Sequence, residues 1–214
     1  MLLLILGLIV AYLIGSFSSS VWIGKWFYKT DVRQYGSGNA GTTNTIRILG
    51  WKPGVVVLLL DVFKGWLPIQ LDFLFLSSIY SSYEVYYDVA LSVAVLLGHV
   101  FPIYTGFRGG KGVATLVGII LALYPMAFCC AFCLFFLIFI LTRYVSLSSI
   151  VSAISFPFIS IFIFNEREPI LVLFSILIGV FIPITHRKNI QRLIKGEESK
   201  LDLFGKNKKD QNKS

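Results

Sequence analysis

Three short stretches of this chain hold nearly all the residue types able to do polar chemistry. The first is "GSGNAGTTNTIR", residues 36–47. Gly36, Gly38 and Gly41 let backbone N–H groups converge into a concave anion cradle, because glycine accepts positive φ and close approach. Ser37, Asn39, Thr42, Thr43 and Asn44 add neutral donors, and Arg47 adds a planar fork suited to phosphate or carboxylate. "TTNTIRILG" can start a helix, whose first N–H groups also favour anions. The second stretch is "GFRGGKG", where Arg108, Gly109, Gly110 and Gly112 surround Lys111 at the start of an apolar run. Lys111 is a point charge for a phosphate oxygen. The third is "THRKNIQRLIKGEESK", in which His186, Asn189 and Arg192 recur every three residues and can share one helical face.

Other chemistries do not fit. The G-x-x-x-x-G-K-[ST] pattern of a nucleotide-binding loop would need glycine at Thr105 and a hydroxyl at Gly112. No His-x-x-x-x-Asp pair exists, since Tyr104 and Gln191 stand five beyond His99 and His186. There is no Ser–His–Asp set and no metal cluster. Cys129, Cys130 and Cys133 lie in "MAFCCAFCLFF" with no polar neighbours and are expected to serve as small packing residues. His99, just before Pro102, either sets the second loop or satisfies backbone groups. No cofactor, metal or nucleic-acid partner is expected.

The rest of the chain must position these stretches, and it is oil. Of the 214 residues 56% are hydrophobic and only 14% charged, with a mean hydropathy of +0.79. A soluble domain carries charge on about a quarter of its residues. Apolar runs at 2–24, 53–79, 87–104, 113–142, 146–164 and 169–185 have the length a helix needs to cross a bilayer. The first run lacks a basic start and a good cleavage site, so it reads as a retained helix and not a signal peptide.

The net charge of +8 is informative once located. Apart from Lys64 and Arg167, every Lys and Arg falls in 25–52, 108–111, at Arg143, or from Arg187 onward. The positive-inside rule places all four regions in the cytoplasm. Six crossings cannot do this, because the basic C-terminus would emerge on the wrong side. The run 113–142 resolves the conflict: as one helix it would extend about 45 Å, against a hydrocarbon core of about 30 Å. Pro125 stands in its middle, where it removes a helical donor and disfavours helix before it. Two short helices meeting near Tyr124–Pro125 give an all-α integral membrane protein of seven transmembrane helices, N-terminus outside and C-terminus cytoplasmic. The alternative is one long, tilted, kinked helix. Residues 1–200 form the transmembrane domain and 201–214 a basic, disordered tail able to touch anionic lipid.

Within the second apolar run, "DVFKGWLP" puts Asp61 and Lys64 at i and i+3. They read as a structural ion pair, with a role in holding the loops left open for Asp61. The stretch 185–200 also fits a juxtamembrane helix lying on headgroups, with Ile190, Leu193 and Ile194 as its apolar side.

In order and content, "GSGNAGTTNTIR", "GHVFPIYTGFRGGKGVAT" and "HRKNIQRLIKGEE" resemble the three motifs of the bacterial acyl-phosphate-dependent glycerol-3-phosphate acyltransferases, the PlsY family. "KTDVRQYGSGN", "DVFKGWLP" and "RYVSLSS" extend the likeness. Thr42–Thr43 and Arg108 depart mildly from the commoner residues while keeping polarity and charge. The resemblance implies a seven-helix enzyme of phospholipid synthesis in the bacterial cytoplasmic membrane, its site facing the cytoplasm. It implies transfer of an acyl group from acyl phosphate to glycerol-3-phosphate, giving lysophosphatidic acid and inorganic phosphate. Ser37, Arg47, Lys111, His186 and Asn189 are then the catalytic positions. Gly36, Gly38, Asn39, Gly41, Thr43, Asn44, His99, Arg108, Gly109, Gly110, Gly112 and Arg192 are the substrate-binding ones. Expected partners are the two substrates, membrane lipid and an enzyme that makes the donor. An acyl phosphate is already activated, so direct attack by the acceptor hydroxyl is expected, with His186 either a general base or a substrate ligand. A transporter of phosphorylated metabolites is the rival reading; such proteins tend to carry repeats and broken helices meeting at the midplane.

Overall fold

The computed structural model describes residues 2–75 and 84–201, and every regular element among them is helical. Helix α1 (Leu2–Ser16) runs into α2 (Ser19–Tyr28) through a 45° bend at Phe17–Ser18. The first polar loop follows and ends at α3 (Thr42–Leu49), the helix expected from "TTNTIRILG". Then come α4 (Trp51–Phe75), α5 (Glu84–Val100), α6 (Val113–Leu123), α7 (Pro125–Thr142), α8 (Val145–Phe158, extended by a π-helical turn over Ile159–Ile163), α9 (Pro169–Thr185) and α10 (Arg187–Ile194). A 60° bend separates α9 from α10.

Four helical stretches are long and apolar enough to cross a membrane alone: Trp51–Asp72, Glu84–Thr105, Pro125–Thr142 and Val145–Ile163. The bent pairs α1–α2 and α9–α10 qualify when each is taken as one span. The run 113–142 breaks where its proline requires. Tyr124 leaves the helical region at φ −136° and ψ 58°, and Pro125 opens α7 at the position where a missing N–H costs nothing. At 11 residues α6 is about 16 Å long, roughly half the hydrocarbon thickness.

Lipid supplies no hydrophobic drive between helices, so close backbone approach at small residues matters. Two crossings use it. A Cβ on Gly15 would lie 2.1 Å from the Val95 carbonyl and one on Gly98 2.2 Å from the Tyr12 carbonyl, which brings α1 onto α5. A Cβ on Gly118 would lie 2.0 Å from the Val62 carbonyl and one on Gly65 2.1 Å from the Thr115 carbonyl, which brings α4 onto α6. The core behind them gathers Val95, Leu116, Ile119, Phe156, Phe174 and Ile178. Tyr124 packs edge-on to Phe156 and donates its hydroxyl to the Leu171 carbonyl at 2.7 Å. Outward faces carry large exposed apolar side chains such as Leu59, Phe132 and Leu137, as a lipid-facing surface requires.

Three details depart from expectation. The cysteines do not fill the interior: Cys129, Cys130 and Cys133 are all exposed on α7, whose outer face is apolar all round. Helix α10 does not offer its whole apolar side outward, because Ile190 and Leu193 pack on the core and Ile194 alone of the three is exposed. Leu201, the first residue of the expected tail, is buried and donates its N–H to the Arg143 carbonyl at 3.0 Å. The remaining tail residues lie outside the described ones, as do residues 76–79 at the end of the apolar run 53–79.

Candidate active site

The three polar stretches meet, and Lys111 is the point of contact. Gly112 takes the left-handed conformation (φ 84°) and caps α6, so the loop turns sharply just after Lys111. The lysine amine donates to Asn189 Oδ1 on α10. Asn189 Nδ2 in turn donates to Glu198 Oε1 at 2.7 Å, and the same oxygen accepts Ser146 Oγ from α8 at 2.7 Å. Glu198 Oε2 accepts Arg192 Nε at 2.6 Å. Arg47 arrives from α3, its Nη2 donating to the Ser199 carbonyl at 2.8 Å. Its Nε is buried and has no hydrogen-bond partner among the described residues.

Charge is unbalanced here. Among the described residues, Lys111, Arg47 and Arg192 face one carboxylate, that of Glu198. Burial, reinforced by the Arg192 and Arg47 charges against the pull of Glu198, lowers the Lys111 amine to about 8. Burial likewise lowers Arg47, with Arg192 adding to it and Glu198 opposing. Glu198 itself is pushed up by burial, but hydrogen bonds from Arg192, Asn189 and Ser146 outweigh that and hold its carboxyl below the ordinary value. His186 is buried just beyond the end of α9; its Nδ1 bonds the Ile182 carbonyl at 2.9 Å. A carbonyl only accepts, so Nδ1 carries the proton and Nε2 is the ring's acceptor. Burial and the Lys111 charge lower this imidazole to about 4, which leaves it neutral near pH 7.

The first loop is held from inside. Asn44, expected to contact substrate, is 1% exposed and committed to the loop. Its Nδ2 donates to the carbonyls of Val32 (2.8 Å) and Tyr35 (3.1 Å), and its Oδ1 accepts the Ser37 N–H (2.9 Å). Gly36 (φ 60°) and Gly38 (φ 70°) make the turns around it. The N–H groups of Gly38 and Gly41 go to the carbonyls of Tyr35 and Asn39. Thr42 and Thr43 open α3, where first-turn N–H groups have no intrahelical partner. Ser37 is exposed at the loop tip, beside the partly buried Asn39.

The second loop is tied to its surroundings in the same way. Gly109 and Gly110 donate to the carbonyls of Val100 (3.1 Å) and His99 (3.2 Å), so these two N–H groups are not free for an anion. The glycines serve close packing instead. His99, also expected to touch substrate, is buried beneath the loop. Arg33 joins the two loops: held by Asp31 at 2.8 Å, its Nη1 donates to the Thr105 carbonyl (2.7 Å) and to that of Arg108 (3.2 Å). The Arg108 side chain is exposed.

Thus Arg47, Lys111, His186, Asn189 and Arg192 come together as the sequence suggested. Glu198, Ser146 and Arg33 were missed as site residues. An acidic residue among lysines reads as solvated surface, and a serine in an apolar helix reads as filler; each lay inside a quoted stretch ("KGEESK", "RYVSLSS", "KTDVRQYGSGN") and nothing local marked it out.

Comparison with known proteins agrees with this geometry. The family model described as "Glycerol-3-phosphate acyltransferase" matches residues 5–196. The chain belongs to the glycerol-3-phosphate acyltransferase family. It is 42% identical over 214 residues to the glycerol-3-phosphate acyltransferase of Enterococcus faecalis, covering 97% of this chain and 96% of that protein. It is 41% identical over 198 residues to that of Listeria monocytogenes, covering 92% and 96%. Among solved structures it resembles PlsY (YgiH), an integral membrane glycerol 3-phosphate acyltransferase. The TM-score is 0.83 against the glycerol 3-phosphate form and 0.78 against the lysophosphatidic acid form, at 36% identity. The likeness covers 93% of this chain, and 96% and 95% of those chains. Like other members of the glycerol-3-phosphate acyltransferase family, this chain is an integral membrane acyltransferase, and the cation cluster around Lys111 is its candidate active site.

Proposed function

We propose that this protein transfers a fatty acyl group from acyl phosphate to glycerol-3-phosphate, releasing lysophosphatidic acid and inorganic phosphate. The observation that carries the reading is the excess of cations among the described residues, Lys111, Arg47 and Arg192 against Glu198, with a buried Arg47 donor that has no hydrogen-bond partner among them. Such a site gains from an anion, and both substrates carry phosphate. The acyl chain needs an apolar route to lipid, which the exposed flanks of the bundle supply.

In the reaction the primary hydroxyl oxygen of glycerol-3-phosphate attacks the acyl carbon. The bond from that carbon to the phosphate oxygen breaks, and the hydroxyl proton passes to the departing phosphate. A mixed anhydride is activated enough for direct transfer, so the protein contributes position and charge compensation. Lys111 and Arg47 anchor phosphate; Ser37 and the first-turn N–H groups of α3 and α6 orient the donor; His186 Nε2 and Asn189 hold the acceptor. With its imidazole lowered to about 4, His186 is a poor base near pH 7, which favours a ligand role.

The chain spans the bacterial cytoplasmic membrane seven times, by α1–α2, α4, α5, α6, α7, α8 and α9, the bilayer thinning locally at the short α6, with its N-terminus outside and its site open to the cytoplasm. The basic residues from 202 onward have the charge to suit anionic lipid headgroups, and an enzyme that makes the donor is the protein partner this reading expects.

Purified protein in lipid nanodiscs should release phosphate from palmitoyl phosphate only when glycerol-3-phosphate is present, and not from palmitoyl-CoA or palmitoyl carrier protein. Equal turnover with either thioester would overturn the donor assignment. Flux of glycerol-3-phosphate into sealed vesicles without ester formation would favour transport instead. His186→Gln should keep measurable turnover, with no limb near the ordinary histidine pKa in the wild-type pH–rate profile.

A further inference from the structure

Charge inside a membrane helix is costly and persists where something compensates it. Asp61 lies about 15 Å along α4 from Trp51, with its side chain 2% exposed. Its Oδ1 accepts Ser19 Oγ at 2.9 Å and Lys64 Nζ at 2.8 Å. Lys64 also donates to the Phe17 carbonyl, at the bend between α1 and α2, at 2.9 Å. A pair that only neutralised itself would end there.

A third group stands beside it. His99 Nδ1 lies 3.9 Å from Asp61 Oδ1, buried and with no hydrogen-bond partner among the described residues. The opposite edge of the same ring faces the loop that carries Lys111. A Cβ built on Gly110 would lie 2.3 Å from His99 Nε2 and 2.6 Å from the Ala40 carbonyl. The ring, Gly110 and the first loop are therefore in contact with no room for a methyl group. The His99 carbonyl also accepts the Gly110 N–H. The next residue is Lys111.

We propose that Asp61 and His99 form a brace inside the bundle that sets the place of Lys111, which makes both of them positioning residues for the transfer reaction. Asp61 fixes one edge of the imidazole through charge–dipole attraction in a low-dielectric interior. The other edge, with no slack, fixes Gly110 against Ala40, so both anion loops are referred to one buried carboxylate. Ser19 and Lys64 hold that carboxylate in turn. The inference rests on the reading of Lys111 as a phosphate anchor.

The test uses the full chain in nanodiscs, two readouts and two variants. Asp61→Asn keeps the size of the side chain and removes its charge. Gly110→Ala leaves the ion pair intact and displaces the ring from the loop side. Each should lower kcat/KM for acyl transfer by about tenfold to a hundredfold, as a misplacement of about an ångström does. In a Lys111→Ala background the same changes should cost less than about twofold, because the residue they place is gone. The second readout is the rate at which a water-soluble amine reagent labels Lys111, followed on the peptide that contains it. It should rise about threefold or more in both variants as the amine leaves the Asn189 contact.

A merely structural role would cut activity by the same factor with and without Lys111 and leave labelling unchanged; that result overturns the proposal. If Lys111→Ala alone left transfer intact, the anchor reading would fall, while labelling would still decide whether the brace places the lysine. Should Asp61→Asn not fold, unchanged Lys111 labelling in Gly110→Ala is sufficient to reject it.

Discussion

Lys111 should couple anion binding to proton uptake. In the free site burial and the neighbouring arginines lower its amine to about 8, from the ordinary lysine value of 10.5. A phosphate dianion seated against the amine reverses that balance and returns the value toward 10.5. At pH 8 the amine is half neutral before binding and protonated after it. Binding then takes up about 0.5 proton at pH 8, about 0.9 at pH 9 and about 0.1 at pH 7. The Kd for glycerol-3-phosphate should correspondingly weaken about tenfold between pH 7 and pH 9. For folding the sign is the opposite of the usual lysine case. A folded value below the unfolded one destabilises fully below about pH 8, and the penalty fades as pH rises from about 8 toward 10.5. The measurement is titration calorimetry of glycerol-3-phosphate into the protein in nanodiscs at pH 8, in two buffers of different ionisation enthalpy. Lys111→Arg, whose guanidinium stays charged, should abolish the uptake. An uptake below about 0.1 proton in the wild type, or an undiminished one in Lys111→Arg, would refute the account of the site's electrostatics.

Two further outcomes follow from the geometry. Glu198→Ala strips the shared acceptor from Ser146, Asn189 and Arg192 and should lower stability by about 1–3 kcal/mol, discounted because Arg192 is partly solvated; Glu198→Gln should retain part of it, and equal thermal melts for the two variants would contradict the hub. Gly118→Ala puts a Cβ 2.0 Å from the Val62 carbonyl and should cost about 1–3 kcal/mol by forcing α6 off α4, read as a lowered Tm; an unchanged Tm would mean that this crossing is looser than it looks.

What the sequence determined by itself was chemistry and rough placement. Its hydropathy required membrane helices, its basic loops required that the polar stretches share a side, and Pro125 required a break, found between α6 and α7. The three-residue spacing of His186, Asn189 and Arg192 announced a common neighbourhood, and Asn189 and Arg192 do share a carboxylate. Those signals are local or compositional, so they survive in one dimension.

Only the tertiary structure decided which donors are free. Asn44, Gly109 and Gly110 have the types of an anion cradle, yet the loops fold back so that backbone carbonyls of the residues leading into them take their hydrogen bonds. It also decided that Glu198 is the site's counter-charge and that Ser146 belongs beside it, because α8 and the stretch after α10 meet only through packing. Partner and burial are properties of the fold, and a residue's type records neither.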